Sequence, residues 1–426
     1  MSKRKKLLFW GSVAARAGYG DHARDLVNSL FEMDKYDIQI VSTNWGNCPL
    51  DALNSNDEKD KRILDSLLVT DLKEQPDIFI QCTVPNEFKR LGKYNIGITA
   101  GIETNTCSAE WIDGLNRMDR IIVPSKHSRD VFLNTQYEKR DNRTHQVVHN
   151  LKCEREIDVL FEGLDLEVFK KTSKLHKTIN DTLNSIDEKF CFLFVGHWIR
   201  GGFKQDRKDI SGMIHTFLNT FKGVKNKPAL ILKTSGATFS IRDREEILNK
   251  IQNIRKMVDG DDLPNIYLIH GDLTKGEVNS LYNHPKVKSM VSFTKGEGFG
   301  RPLLEFLVTG KPLITTNWSG HIDFINPNES VLLDGELQQI HQSAVWENVL
   351  IPESKWFTVD YDKASKSLSD VFNKYVTYKN KAKSSSKRVK ENYSLSEMKK
   401  QFEMIMTDLD NDTIEIENNI PKLERV

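Results

Sequence analysis

Along the chain, short apolar runs alternate with longer stretches whose apolar positions recur every three or four residues. The runs Lys6–Trp10, Ile38–Ser42, Asp77–Val84, Asn95–Ala100, Arg120–Val123 and Ile157–Leu160 are nearly continuous. Such runs predict strands buried on both faces rather than half-exposed ones. Between them the helical period predicts helices over His22–Met33 and Ser125–Asn134. A second series follows, with strands predicted at Phe190–Val195, Ala229–Lys233, Asn265–Ile269, Val287–Phe293, Pro312–Thr316 and Ser330–Leu333. Its helices are predicted at Asp209–Phe221, Asp243–Val258, Lys275–Tyr282 and Arg301–Val308. This alternation predicts an α/β fold, with parallel sheets covered by helices on both faces. The polar stretch Lys170–Lys189 reads as the linker between two units, 1–172 and 185–390. Beyond about residue 340 the pattern turns mostly helical. Leu395–Leu409 predicts a last amphipathic helix that packs back on the first unit, and Asp410–Val426 an acidic, frayed tail.

Composition narrows the class. The 426 residues are 38% hydrophobic and 28% charged, as expected for a soluble globular chain of two to three domains. A net charge of +1 excludes a protein that is basic overall and leaves local patches open. One such patch is Val371–Lys390, with Lys374, Lys379, Lys381, Lys383, Lys387, Arg388 and Lys390 and no anion. A solvated helix face, an anionic membrane surface and a nucleic-acid backbone are its alternative readings. No run approaches the ~20 apolar residues of a membrane span. The apolar stretch Leu7–Trp10 behind the basic start Lys3–Lys6 is short for a signal peptide, so a cytoplasmic location is expected. Cys48, Cys82, Cys107, Cys153 and Cys191 are scattered, which argues against a disulfide framework or a structural zinc. In that setting the Asn142-Arg143-Thr144 triplet carries no glycosylation meaning.

The strongest chemical signal is Lys295-Gly296-Glu297-Gly298-Phe299-Gly300-Arg301-Pro302-Leu303-Leu304-Glu305, directly after a predicted strand. Its glycines let backbone approach a ligand closely, and Pro302 suits the first turn of a helix. A Gly-rich turn from strand to helix suits a phosphate or a sugar hydroxyl. Glu297 in the turn and Glu305 two helical turns on are spaced to hold different parts of one long ligand. The adjacent cations Arg207 and Lys208 sit at a predicted helix start, where positive charge opposes the helix dipole and an anion explains it better.

The two glutamates within G-E-G-F-G-R-P-x-L-E resemble the signature of family 4 retaining glycosyltransferases of the GT-B fold. Further segments resemble that family in order: Gly18-Tyr19-Gly20, Gly97–Glu103 with Trp111, Val123-Pro124-Ser125 with Phe132, Phe194-Val195-Gly196 before Arg207-Lys208, and Trp318-Ser319-Gly320. The chain also resembles phage-encoded members. The resemblance implies two Rossmann-like domains facing across a cleft, with a nucleotide-sugar donor held mostly by the second and no tightly bound cofactor. Glu305 would bind the ribose hydroxyls. Glu297 would contact the transferred sugar, with Gly298, Phe299 and Gly300 nearby. Arg207 and Lys208 would neutralise the diphosphate, and Asp272 and Leu273 would lie in the base-binding loop. Lys233, at the end of a predicted strand, reads equally as a contact to the same phosphates and as a solvated strand-end lysine. Gly18, Tyr19 and Gly20 would form the first domain's donor-facing loop, and Glu103 would line the acceptor side.

One departure stands out. The family's arginine directly after the V-G pair is His197 here, followed by the inserted loop Trp198–Asp206. Arg207, Arg200 or Lys204 would then supply the missing cation. His127 and His22 read as surface histidines near helix starts. Asp408-Leu409-Asp410 has metal-motif spacing but lies in the tail, so no metal is expected. A Walker loop, a nucleophile elbow and a dinucleotide fingerprint are all missing from the sequence. The implied reaction moves a sugar to a saccharide, a lipid-linked acceptor or a hydroxylated base in DNA. A non-catalytic nucleotide-sugar-binding protein and a sugar-nucleotide epimerase are the competing readings.

Overall fold

The computed structural model describes residues 4–140, 143–144, 146–236 and 238–419. Lys3, Asn142 of the N-x-T triplet and residues 420–426 of the tail lie outside the described residues.

The strands of the first half are β1 (Lys5–Gly11), β2 (Tyr36–Ser42), β3 (Ile78–Cys82), β4 (Tyr94–Ile98), β5 (Arg120–Val123), the hairpin β6 (Gln136–Arg140) and β7 (Val147–Lys152), and β8 (Ile157–Val159). Six of them form one sheet in the order β2-β1-β3-β4-β5-β8, every pairing parallel. The second half contributes β9 (Cys191–His197), β10 (Ala229–Ser235), β11 (Ile266–Ile269), β12 (Val287–Val291), β13 (Leu313–Thr316) and β14 (Val331–Leu333). These make a second parallel sheet in the order β11-β10-β9-β12-β13-β14. All residues of β3, β4 and β13 are buried, as expected for strands covered on both faces, and their few polar side chains, Gln81, Asn95, Thr315 and Thr316, are buried with them. The order reverses beside β1 in the first sheet and beside β9 in the second. Ligands of open parallel sheets bind at such reversals, outside the carboxyl ends of the strands.

Four expectations change. The linker holds a helix, Lys177–Asn184, whose Ile179 and Leu183 are buried. The linker backbone is also tied to the helix Lys275–Asn283, with the Lys170, Thr172 and His176 amides donating to Asn279, Asn283 and Ser280. Gly18–Gly20 is the first turn of the helix Gly18–Met33, not a loop before it. The stretch after residue 333 opens with an antiparallel hairpin, β15 (Gly335–Gln339) and β16 (Lys355–Val359), before the helices Tyr361–Asn373 and Tyr375–Asn392. The last helix runs Leu395–Asn419, farther than the periodicity predicts. It lies against the helix Gly18–Met33, with Lys399 paired to Glu32 at 2.5 Å and Lys35 donating to Thr407 at 3.1 Å.

The basic run also changes character. Lys374 pairs with Asp370 at 2.8 Å, Lys387 with Glu391 at 3.8 Å, and Arg388 with Glu329 at 2.8 Å. These carboxylates lie outside the run in sequence or just past its edges, so much of its charge is compensated. Lys379, Lys381 and Lys383 are exposed.

Candidate active site

The Gly-rich turn leaves the carboxyl end of β12 and enters the helix Arg301–Leu307 through Gly300, whose φ of 97° is left-handed. The turn is fastened from behind: Ser319 Oγ accepts from the Glu297 amide at 2.9 Å, and Glu297 O accepts from the Gly320 amide at 2.9 Å. In front it meets the first domain. A β-carbon on Gly296 would lie 2.0 Å from Glu103 O, and one on Gly298 would lie 2.0 Å from Ala100 O. The glycines therefore serve the approach of one domain to the other, where the sequence pointed to a ligand. Phe299 is 3% exposed and packs on Phe324, so its side chain belongs to the core and not to a donor surface.

Four sequence-predicted residues converge at this contact. Lys208 Nζ donates to Glu297 Oε1. Arg207 Nη1 lies 3.3 Å from Glu103 Oε1 and 3.7 Å from Glu297 Oε2, and it donates to Gly296 O at 3.3 Å. Arg207 thus bridges a first-domain and a second-domain carboxylate. Burial alone would raise the Glu297 pKa, but Lys208 and Arg207 outweigh it and hold the carboxyl down to about 2. Burial pulls the Lys208 ammonium below its ordinary value against the attraction of Glu297. His197 stands at the end of β9, and burial together with Lys233, Lys208 and Arg207 lowers its pKa. Lys208, Arg207 and Lys233 therefore form one electropositive corner around the neutral His197, at the strand-order reversal beside β9. Lys233 also donates to Gly271 O at 2.9 Å, bracing the Gly271–Leu273 turn.

Arg200 and Lys204 are committed elsewhere. Arg200 donates to Val345 O at 3.1 Å and lies 5.5 Å from the Trp346 ring, and the Lys204 ammonium lies 4.0 Å from the Tyr361 ring. The 198–206 loop is held by these contacts, so Arg207, not Arg200 or Lys204, stands beside Lys208 at the glutamates.

Glu305 lies one turn past Arg301 on the same helix face. Tyr282 donates to Glu305 Oε2 at 3.1 Å, and Arg301 Nε is 3.7 Å from Glu305 Oε1. Burial raises the Glu305 pKa to about 7 despite Arg301. Asp272 is not free in this arrangement. Its carboxylate pairs with Arg16 of the first domain at 2.7 Å. Leu273 is partly buried against the core. Tyr19 uses its hydroxyl internally, with Thr99 Oγ1 at 2.9 Å and the Ala100 amide donating to it at 3.0 Å. It thereby braces the 99–101 turn that receives Gly298. Gly20 is sterically required, since a β-carbon there would lie 2.1 Å from Ala15 O, whereas Gly18 has open space.

Two histidines are corrected. His22 is buried, and burial pushes its pKa to about 3. His127 packs edge-on against Trp318 of the second domain at 4.7 Å, its Nε2 is buried without a hydrogen bond, and burial pushes its pKa to about 4. Sequence reasoning missed His321, which is fully buried between Thr316 O at 2.8 Å and Ser319 Oγ at 3.4 Å, next to Glu297. Lys295, quoted in the motif without a role, is buried 3.7 Å from Asp209, and Asp209, which sequence reasoning missed, accepts from Tyr361 at 2.7 Å. Asp209 directly follows Arg207-Lys208, and that adjacency was the available signal. Among the described residues no cluster of three or more His, Cys, Asp or Glu side chains could hold a metal ion. A cavity of about 210 Å³ lined by Lys6, Asp37, Gln39, Thr70 and Glu74 opens at the amino ends of β1 and β2. That is the end of a parallel sheet opposite to its ligand sites.

At the level of sequence the chain matches no protein-family profile, and it matches no curated protein. Solved structures are similar over nearly its whole length. Anabaena HepE in complex with UDP-glucose superposes with a TM-score of 0.60 at 11% identity, covering 95% of this chain and 100% of that one. Sucrose-phosphate synthase from Thermosynechococcus elongatus gives 0.60 at 13% identity over 96% and 100%. The trehalose 6-phosphate synthase of Burkholderia multivorans gives 0.60 at 10% identity over 96% and 100%. The fold is GT-B. Two parallel six-stranded sheets with their helices form it, and the carboxylates and cations described above lie where the GT-B domains meet. Among the described residues no helix is long and apolar enough to cross a membrane.

Proposed function

We propose that the protein is a retaining glycosyltransferase of the family 4 type, which moves a sugar from a nucleotide sugar to an acceptor hydroxyl. The observation that carries this reading is the meeting of Lys208, Arg207, Glu297 and Glu103 at the domain contact, beside the carboxyl end of β9. The GT-B fold supports it, as do the UDP-glucose and the UDP bound to HepE. The domains are proposed as 1–172 with the helix from residue 395, on the acceptor side, and 185–390, on the donor side.

In this reading the diphosphate enters the corner formed by His197, Lys208, Arg207 and Lys233. Its charge takes over Lys208 from Glu297, and Glu297 turns to hydroxyls of the transferred sugar. The bond from the anomeric carbon to the phosphate oxygen breaks, and a bond from that carbon to the acceptor oxygen forms on the same face. The acceptor proton passes to the departing phosphate oxygen, and the cations stabilise the charge that develops there. Glu305 accepts from the ribose hydroxyls and Gly271–Leu273 meets the base.

The acceptor is proposed as a saccharide, a lipid-linked acceptor or a hydroxylated DNA base, the last resting on the resemblance to phage-encoded members. The test is transfer of label from radiolabelled nucleotide sugars, UDP-glucose first, to an oligosaccharide panel, to lipid-linked acceptors and to hydroxymethylated duplex DNA. Label in an acceptor with retained anomeric configuration supports the reading. Donor conversion without an acceptor marks an epimerase, and donor binding without turnover marks a binding protein.

A further inference from the structure

Among the described residues, three ion pairs cross from the helix Gly18–Met33 and the loop before it to the second domain. They are Arg16 with Asp272 at 2.7 Å, Asp21 with Lys275 at 2.9 Å, and Asp25 with Arg301 at 2.6 Å. The first two are partly exposed and individually weak. The third is different. Arg301 is 11% exposed and Asp25 12%. A buried guanidinium persists only where carboxylates and hydrogen bonds replace its water.

The surroundings of Arg301 are one-sided. Its Nη2 donates to Asp25 Oδ2 and approaches Gly163 O at 3.5 Å. Its Nη1 lies 3.8 Å from Glu162 Oε2 and has no hydrogen bond. Its Nε faces Glu305 Oε1 at 3.7 Å. Asp25, Glu162 and Gly163 follow strands of the first sheet, whereas Arg301 and Glu305 share one helix of the second domain. A single guanidinium therefore stands between the proposed ribose carboxylate and two carboxylates of the opposite domain.

We infer that Arg301 is a positioning residue that makes donor binding at Glu305 depend on Asp25 and Glu162 of the first domain. The inference rests on the donor reading given above. A carboxylate accepts both ribose hydroxyls only when it is ionised and not itself engaged by a cation. With the domains together, Asp25 and Glu162 draw the guanidinium away from Glu305. At 3.7 Å it is then close enough to offset part of the burial that favours the protonated acid and too far to hydrogen-bond it, so Oε1 is left free and Oε2 carries only the Tyr282 hydroxyl. With the domains apart, Glu305 is the one acid of the three that remains beside Arg301, and it is claimed by it. Asp25 thus acts on nucleotide affinity without touching nucleotide, and the first domain gains a share in donor recognition through the second domain's own side chain.

The experiment is calorimetric titration with UDP, GDP and ADP, pursued with whichever binds tightest, on the full-length protein and on Asp25→Asn, Arg301→Lys, Arg301→Met, Glu305→Gln and the double variant Asp25→Asn/Arg301→Met. Asp25→Asn is expected to weaken the nucleotide by about tenfold, the cost of one charge-assisted contact. Arg301→Lys is expected to retain more affinity than Arg301→Met. In the Arg301→Met background Asp25→Asn is expected to have no further effect, because the effect travels through the guanidinium. In turnover assays the Asp25→Asn loss is expected in the donor KM and not in kcat. Thermal melting run alongside separates misfolding from lost affinity.

If Asp25→Asn binds as the wild type does while Glu305→Gln is weakened, the coupling is wrong and the donor reading stands. The coupling is equally overturned if Asp25→Asn costs as much without Arg301 as with it. If no nucleotide binds, or Glu305→Gln also binds normally, the donor reading itself fails and the inference with it.

Discussion

Gly298 faces Ala100 so closely that an added β-carbon would lie 2.0 Å from the Ala100 carbonyl oxygen, with Gly101 Cα a further neighbour at 3.2 Å. Gly296 and Gly298 are spacers between domains, because backbone, unlike the end of a long side chain, cannot move out of the way cheaply. Gly298→Ala is therefore expected to hold the domains apart. Turnover should drop by about tenfold or more, since misplacing groups at a reacting centre by about 1 Å costs on the order of 10² in rate. Steady-state kinetics alongside thermal melting check this, with melting little changed because each sheet keeps its own packing.

Lys208 and Glu297 are one buried unit. Lys208→Ala should destabilise the protein by about 3 kcal/mol, the low end for breaking a buried ion pair, because Arg207 remains 3.7 Å from Glu297. Lys208→Arg should be milder, since the diphosphate needs positive charge first. Lys208→Met with Glu297→Gln should recover much of the stability and none of the activity. Denaturant melts and donor turnover, measured on the same preparations, separate the two effects.

Glu162 and Glu305 are both raised to about 7, chiefly by burial, which Arg301 only partly offsets. Each binds its proton more tightly folded than unfolded, so each costs stability as pH climbs from the ordinary carboxylate range through about 7. Glu162→Gln should therefore melt closer to the wild type at pH 5.5 and above it at pH 8. Binding of the donor needs Glu305 ionised, so affinity should rise with pH through about 7, and Glu305→Gln should lose that dependence. Thermal melts at the two pH values and calorimetric titration across the range read these effects.

Positive charge for the diphosphate comes from Lys208, Arg207 and Lys233, with His197, kept neutral by burial and by these cations, as a hydrogen-bonding neighbour in the same corner. Transfer should accordingly persist in excess chelator, checked by rate with EDTA and with added magnesium or manganese. Loss on chelation and recovery with either metal would contradict the assignment of those cations.

Much of the fold is legible in the chain because buried parallel strands must be apolar on both faces. Continuous apolar runs such as Ile78-Phe79-Ile80 and Cys191-Phe192-Leu193-Phe194 mark both six-stranded sheets without any knowledge of their partners. The glutamate motif is legible for a similar reason: its strand, turn, glycine cap and helix are neighbours in sequence. The hairpin Gly335–Gln339 with Lys355–Val359 is not, since its first strand is exposed throughout and carries no alternating pattern. The basic run Val371–Lys390 reads as uncompensated in sequence because Glu329, the partner of Arg388, is 59 residues away. His22 and His127 read as superficial for the same reason, as the groups that bury them come from other elements. Arg301 is one letter inside the motif. Packing alone sets it between Glu305 and the first-domain acids Asp25 and Glu162, because burial and charge pairing depend on distance in space, which separation along the chain does not record.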